Sequence, residues 1–362
     1  MTGPTIGYFY DTELSIDRSA MSSSTPIPPA GNTRMSDVAR EAGVSLVTVS
    51  RAINTPGKLA PDTLAAVHKA IDRLGYVPNL MAGSLASNRS RIVAAIVPTI
   101  SNLVFSETIE ALGQTLAEGG YQLLLGQSAY RSQEEAALVD TFLGRRVDGL
   151  VLTGIAQPAP LRLKLQRASL PVVQTWDLPS PGHPGPIDML VGFSNIDAGR
   201  AAARHLLSRG HQALAFIGAD EERSRLRLQG YRAEAAACGA GNVPAELIPP
   251  PVQIDEAGPC LTRLLARHPQ ITAVFCNNDL LAAGLLFTCQ QQGWRVPERI
   301  AIMGFGDLPI ARAASPGLTT VRIHRNETGQ RAGRMLLARL AGADPGEPQI
   351  DIGFEIIERD SA

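Results

Sequence analysis

Residues 46–54, LVTVSRAIN, carry side chains whose types and spacing suit the reading of a nucleic-acid duplex. Arg51 can donate two parallel hydrogen bonds to a guanine edge, and Leu46 and Val47 offer apolar contact to thymine methyls. Thr48 and Ser50 can reach phosphates, and Asn54 completes the same outer side of a helix. A second set of candidates is polar with a few aromatics: residues 99–105, 128–130, 153–154, 176–177, 193–195, 277–279 and 305–307. Thr99, Phe105, Trp176, Asn278 and Asp307 fall in this set, and each segment follows an apolar run of strand character. An arginine-rich stretch, RSRLRLQGY at residues 223–231, adds cations that can hold an anionic ligand through paired hydrogen bonds.

The chemistry these residues exclude is as informative. The chain has no Walker lysine loop, no GxGxxG opening a strand-to-helix turn, no GxSxG elbow and no histidine–carboxylate metal spacing. Cys238, Cys260, Cys276 and Cys289 show neither CxxC spacing nor a histidine pattern, which argues for free thiols in a reducing compartment and against a zinc site. The reading is of a protein that binds rather than catalyses, without metal or cofactor. Two other classes are weighed against it: a sugar-acid-processing enzyme on a doubly wound fold, and a sugar-binding protein with no DNA function.

The elements that must position the first set are two short helices around a glycine turn in residues 35–54, MSDVAREAGVSLVTVSRAIN. Ser36 is expected to cap the first helix, whose inward positions are Val38 and Ala39. Ser45 caps the second. Val44 then lies at N′ and Val49 at N4, the spacing at which two apolar side chains clip the entering chain to the first turn. Val49 and Ile53 face inward. An ordinary helical hairpin without DNA function would show the same features. A third helix follows, with Pro61 at its first position, Leu64, Val67, Ile71 and Leu74 at helical spacing, and Gly75 at its C-terminal end. Ala60 stands at its cap position, so this start is expected to be weaker by about 1 kcal/mol than a capped one.

Residues 1–33 are rich in Ser, Thr, Pro and Gly and are expected to be a disordered extension, with Met1 and Met21 as alternative starts. Residues 34–78 form the helix-turn-helix domain. Residues 79–91, containing LMAGSLASN, form a hinge or linker whose ordering alone would cost on the order of 10 kcal/mol. Two readings stand for it. In a minor groove Leu85 would be a wedge between base steps, with Ala82 letting two such helices approach closely; in a flexible linker Leu85 would only touch the next domain.

From residue 92 to 362, apolar runs alternate with amphipathic helices, which marks an α/β fold with parallel sheets. IVAAIVP, YQLLLGQ, VDGLVLTG and PVVQTW are expected to build one lobe. MLVGF, ALAFIGA, AVFCNN and IAIMGF are expected to build the other, and DIGFEIIERD to be a terminal strand. In such sheets ligands bind beyond the carboxyl ends of the strands, which is why the second candidate set matters. The charge balance, Lys+Arg 33 against Asp+Glu 34, leaves polyanion binding to local clustering. Residues 34–91 supply it, with eight Lys and Arg against four Asp and Glu. No cationic start is followed by an apolar run and no stretch approaches a membrane span, so a soluble cytoplasmic protein with no membrane partner is expected.

DVAREAGVSLVTVSRAIN, LGYVPN, SLASN, CNNDLLAAG and PGLTTVR occur in an order and spacing that resembles the lactose/galactose repressor family of bacterial transcription regulators, over residues 34–357. SNLVFSETIEAL, VGFSN, RGH and FCNND most resemble its gluconate repressor branch. The resemblance implies a headpiece joined to a two-lobed core like that of periplasmic binding proteins. It also implies a homodimer on double-stranded operator DNA, with a small-molecule effector, a sugar acid such as gluconate, held between the lobes. Leu46, Val47 and Arg51 fall on the family's base-reading positions; Thr99, Phe105, Trp176, Arg227 and Asn278 fall on its effector-contact positions; and Leu85 takes the wedge role. One departure stands out: Gly306 occupies the place where the family usually has an aspartate, so either Asp307 takes the role or the effector lacks the group that an aspartate would hold. No leucine heptads follow the last strand, so a tetramer of the lactose-repressor kind is not expected.

Overall fold

The computed structural model describes residues 33–77, 89–101, 103–180 and 185–362. The extension at residues 1–32 and the segment holding Ala82 and Leu85 lie outside the described residues. Two compact units divide between residues 83 and 84.

The first unit is a three-helix headpiece: α1 (Met35–Glu41), α2 (Leu46–Asn54) and α3 (Pro61–Leu74). Ser45 caps α2 as the sequence suggests, its hydroxyl accepting the Thr48 N–H at 3.2 Å. Val44 packs against the small core of Val38, Val49, Ala52, Val67, Ala70 and Tyr76, which fixes the entry to α2. The start of α1 differs from expectation. The cap residue is Arg34 and not Ser36, because Asp37 reaches back to accept the Arg34 N–H at 2.9 Å and draws Ser36 into the first turn. Thr33 belongs with the headpiece as well, its hydroxyl donating to the Leu74 carbonyl. Gly75 closes α3 at φ +58°, and the Tyr76 N–H donates to the Ile71 carbonyl, a left-handed cap that glycine adopts without strain. Ala60 makes no side-chain cap bond, as its apolar side chain requires.

The second unit holds two six-stranded sheets. In the first the order is β11 (Gln349–Asp351), β5 (Met189–Gly192), β4 (Val172–Thr175), β3 (Gly149–Thr153), β1 (Ile92–Val97), β2 (Gln122–Gln127), all parallel. In the second it is β12 (Phe354–Ile357), β10 (Thr319–Ile323), β9 (Ala301–Gly306), β8 (Ala273–Cys276), β6 (Leu214–Ala219), β7 (Ala245–Ile248), parallel except for the β10–β12 pair. Each sheet is buried on both faces. Along β1, Val93 and Ala95 enter one core cluster while Ala94 and Ile96 enter another, the period-2 alternation of a strand covered by helices on both sides.

Two assignments change. MLVGF, expected in the second lobe, is β5 of the first, with Gln174 of β4 registered opposite Leu190. DIGFEIIERD is not one strand. Its Asp351 ends β11 in the first sheet, Gly353 turns the chain at φ +64°, and Phe354 begins β12 in the second. The chain therefore passes between the lobes three times, after β5, after β10 and after β11. Strands β7 and β10 escaped the sequence reading.

A buried carboxylate ties the second lobe together. Asp279, wholly buried at the first turn of the helix Asp279–Gln291, accepts the Leu308 N–H and the Thr320 hydroxyl, each at 2.6 Å. Burial pushes its pKa up to about 6, because the charged form is poorly solvated there. A carboxyl raised on folding contributes stability that is fully present below its unfolded value and is lost as pH rises through about 6. The loss amounts to about 3 kcal/mol at most. In Asp279→Asn the amide oxygen still accepts the Leu308 N–H and the amide nitrogen donates to Thr320. The unfolding free energy of the wild type minus that of the variant is expected to fall by roughly that amount between pH 4 and pH 8. Denaturant unfolding at several pH values checks this, and parallel profiles would refute it.

Candidate functional site

On the headpiece, the outer side of α2 presents Leu46 and Val47, each more than half exposed, beside exposed Arg51. The Arg51 guanidinium has no hydrogen bond or ion pair with any described residue. An aliphatic pair and an unpaired guanidinium on one helix face have no packing role; they can meet thymine methyls and a guanine edge. The other expected contacts are partly committed within the helix. The Thr48 hydroxyl lies 3.0 Å from that of Ser45, and Asn54 Nδ2 donates to the Ser50 carbonyl at 2.9 Å. Both are local ties at the helix start and end.

In the second unit the strand ends of the two lobes face a cleft with an inner hollow of about 40 Å³ and an outer one of about 410 Å³, which share Tyr130, Glu221 and Arg223 in their walls. Of the expected effector residues, Phe105, Trp176, Arg227 and Asn278 come together around the inner hollow with Phe305. The Phe105 and Trp176 rings meet edge to face at 4.8 Å between centroids. Arg227 lies on the Phe305 ring at 4.2 Å, its Nη1 donates to Asn195 Oδ1 at 2.5 Å, and its Nη2 is 3.6 Å from Glu221. Burial lowers its pKa to about 10, which leaves it charged at neutral pH. The buried Nε has no hydrogen-bond partner.

The local backbone explains this placement. Glu221 caps the helix Glu222–Ala237 by accepting the Ser224 and Arg223 N–H groups, which also sets its carboxylate beside both Arg223, at 3.2 Å, and Arg227. Helical spacing of four puts Arg223 and Arg227 on one face toward the cleft. Trp176 stands at φ +75°, a left-handed conformation unusual for a large side chain. It is held there from both sides: its N–H donates to the Val191 carbonyl, and its carbonyl accepts Asn195 Nδ2 at 3.1 Å. Asn195 thus connects Trp176, Asp177 and Arg227. Asn278 caps the helix Asp279–Gln291 through its Oδ1 while lining the hollow.

Two expected residues do not join the group. Thr99 is buried in the turn after β1, where its hydroxyl accepts the Ser101 N–H, and it lines neither hollow. Asp307 faces elsewhere. Its carboxylate is clamped by Arg322 at 2.8 Å and Arg359 at 2.7 Å, and it lines a separate surface hollow with Glu107 and Arg325. Burial raises its pKa, but the hydrogen bonds from Arg359 and Arg322 outweigh that and hold it below the usual carboxylate range. The alternative that Asp307 moves into the aspartate's role is therefore not what the fold provides. Gly306 itself sits at φ +124°, a conformation that strains any residue with a Cβ. Glu221, Arg223 and Tyr130 also line the inner hollow, with Val104, Ala219, Val252 and Asn277. Tyr130 stands in the strand-end set and Arg223 in the arginine-rich stretch; Glu221 lies two residues past the end of β6, where the same rule applied after Ala219 would have reached it.

Among the described residues no group of three or more His, Cys, Asp or Glu is placed to hold a metal ion. No helix among them is long and apolar enough to cross a membrane. All four cysteines are unpaired.

Comparison with known proteins agrees with this arrangement. The family described as bacterial regulatory proteins, lacI family, matches residues 34–79, and the periplasmic binding protein-like domain matches residues 203–362. The HTH-type transcriptional regulator GntR of Pseudomonas aeruginosa is 38% identical over 333 residues, covering 91% of this chain and 96% of the relative. The crystal structure of the transcription regulator GntR from Chromobacterium violaceum is 39% identical with a TM-score of 0.70, covering 75% of this chain and 98% of that one. A LacI-family regulator structure from Silicibacter pomeroyi is 31% identical with a TM-score of 0.83, covering 91% and 99%. With a helix-turn-helix headpiece, a two-lobed core and relatives of this kind over nearly its whole described length, the chain belongs to the lacI family of bacterial regulatory proteins and is a DNA-binding transcription regulator, not an enzyme.

Proposed function

We propose that the chain represses genes of carbohydrate utilisation and is released from its operator by a sugar acid such as gluconate bound between the lobes. The observation that carries the effector half is Arg227: a buried guanidinium with an unpartnered Nε, at the wall of a hollow with aromatic sides. With Nη1 on Asn195 and Nη2 beside Glu221, the Nε–H is left as one charge-assisted donor, which suits a carboxylate oxygen. The resemblance to the gluconate repressor branch supports the same ligand.

In this reading the protein acts as a cytoplasmic homodimer. Two headpieces place α2 in successive major grooves, with Leu46, Val47 and Arg51 on base edges, Thr48 and Ser50 reaching phosphates and Asn54 on the same groove-facing side. The hinge of residues 79–91, with Ala82 at the close approach and Leu85 as wedge, orders only as a pair on DNA. Effector binding changes the angle between the lobes, separates the hinges and shifts the population to a form that does not hold the operator. The ligand must favour that form by several kcal/mol, so tight binding alone is not enough.

A gel-shift with DNA upstream of the protein's own gene and its neighbours tests this. A shifted band at moderate salt that disappears on adding gluconate is expected. Absence of a shift on any such fragment sinks the operator half, and a band indifferent to gluconate and related acids sinks the effector half.

A further inference from the structure

The two hollows of the cleft share Arg223 and Glu221, paired at 3.2 Å. The inner one adds Arg227, whose Nη2 lies 3.6 Å from Glu221 and whose buried Nε has no partner. The outer one is ten times larger, and its own cations are paired, Arg131 with Glu134 at 3.3 Å and Arg225 with Asp220 at 2.7 Å. Two carboxylates in its wall are differently placed. Glu135 Oε1 accepts Gln157 Nε2 at 3.1 Å, and Asp177 Oδ1 accepts Asn195 Nδ2 at 3.0 Å and the Leu178 N–H at 2.9 Å. The second oxygen of each takes no hydrogen bond from a described residue. Asp177 is only 2% exposed, so an acceptor in a nearly closed wall is left to whatever enters the cavity. Gln157 is held by Gln174, which donates to its Oε1 at 2.6 Å, and by the Gly154 carbonyl, so Glu135 is braced on a fixed support.

Carboxylate oxygens only accept, and the donor that a polyhydroxy chain supplies is the hydroxyl. We infer that the inner hollow takes the ligand's single carboxylate while Glu135 and Asp177 accept hydroxyls of its uncharged remainder in the outer hollow, so that a second anionic group at the far end is refused. This rests on the sugar-acid reading above and makes it narrower: the effector class is the polyhydroxy monocarboxylate, and neither a diacid nor a phosphorylated sugar acid fits. Burial raises the pKa of both carboxyls, Glu135 and Asp177, and outweighs the opposing pull of Arg223 on each and of Arg227 on Asp177. A second anion beside them meets like charge in a confined space.

The test is ligand titration of the full-length protein at neutral pH, followed by calorimetry or by the fluorescence of Trp176 in the cleft wall, with gluconate, its 6-phosphate ester and the six-carbon 1,6-diacid. Gluconate is expected to bind at least about 30-fold more tightly than either of the other two. In Glu135→Gln and Asp177→Asn this ratio should narrow about tenfold, because the repelling charge is gone while gluconate loses an acceptor. Equal or tighter binding of the phosphate ester or of the diacid to the wild type overturns the inference. So does an unchanged ratio in both variants; should a variant fail to fold, the wild-type comparison decides alone. If none of the three ligands binds, the sugar-acid reading itself fails and this inference goes with it, a different outcome from gluconate binding without discrimination.

Discussion

Replacing Arg227 by glutamine is expected to raise the gluconate concentration that clears the operator by about 300-fold, because the change removes the charge while retaining most of the side chain's length. Truncating one partner of a buried, hydrogen-bonded charge pair costs about 2–5 kcal/mol, and each 1.4 kcal/mol is about tenfold in affinity. Arg227 is suited to such an effect. It is buried and lies on the Phe305 ring, and Asn195 fixes one of its nitrogens while the buried Nε has no partner. A lysine at 227 keeps the charge but offers a point donor in place of a planar fork, so a loss nearer tenfold is expected. Gel-shift titration with gluconate gives the release concentrations, and circular dichroism melting confirms that each variant is folded. Release of the glutamine variant at the wild-type concentration would falsify the carboxylate role of Arg227.

How much of this site was legible in the sequence depends on how far each cause reaches along the chain. Ser45, Val44 and Val49 were found because a cap and its staple are decided within five residues, and Gly75 because a left-handed cap needs glycine there. Ser36 misled because two polar residues compete for one helix start, and the acid at the third helical position chose Arg34. Strand identity was local and legible; sheet membership was not. MLVGF has the composition of a strand in either lobe, and only the crossings after β5, β10 and β11 assign it to the first sheet. The strand-end rule collected Phe105, Trp176 and Asn278, since any doubly wound sheet brings those turns together. It also collected Asp307, which lies at the right end of β9 but is captured by arginines 15 and 52 residues further on. No local pattern announces such a clamp. Glu135 and Gln157 were invisible for the same reason: one sits on a helix and the other in a loop, 22 residues apart, and only the folded first lobe turns them to a common wall.

Gly230→Val is expected to cost more than about 4 kcal/mol or to prevent the second lobe from folding, the size of effect reserved for clashes that the fold cannot relieve. The helices Asn195–Ser208 and Glu222–Ala237 cross so closely that their backbones touch through glycine on each side. A Cβ at Gly230 would stand 1.9 Å from the Ile196 carbonyl oxygen, and one at Gly199 would stand 2.0 Å from that of Arg227. Neither obstacle is a side chain that can swing away; both are carbonyls inside a hydrogen-bonded helix. Inserting carbon into a well-packed interior ordinarily costs about 1–3 kcal/mol, and here the helices must part along their whole crossing. Even alanine, which gains about 1 kcal/mol of helix propensity over glycine, should lose stability at 230. Gly241 gives the control, since a Cβ there meets nothing within 4 Å, and Gly241→Ala should change stability by less than about 0.5 kcal/mol. Denaturant unfolding of the variants beside the wild type measures both. The same crossing sets Asn195 of one helix against Arg227 of the other, so a folded Gly230→Ala protein should also need more gluconate for release. A Gly230→Val protein as stable as the Gly241→Ala control would show that the two helices are not locked by this contact and that Arg227 is positioned by something else.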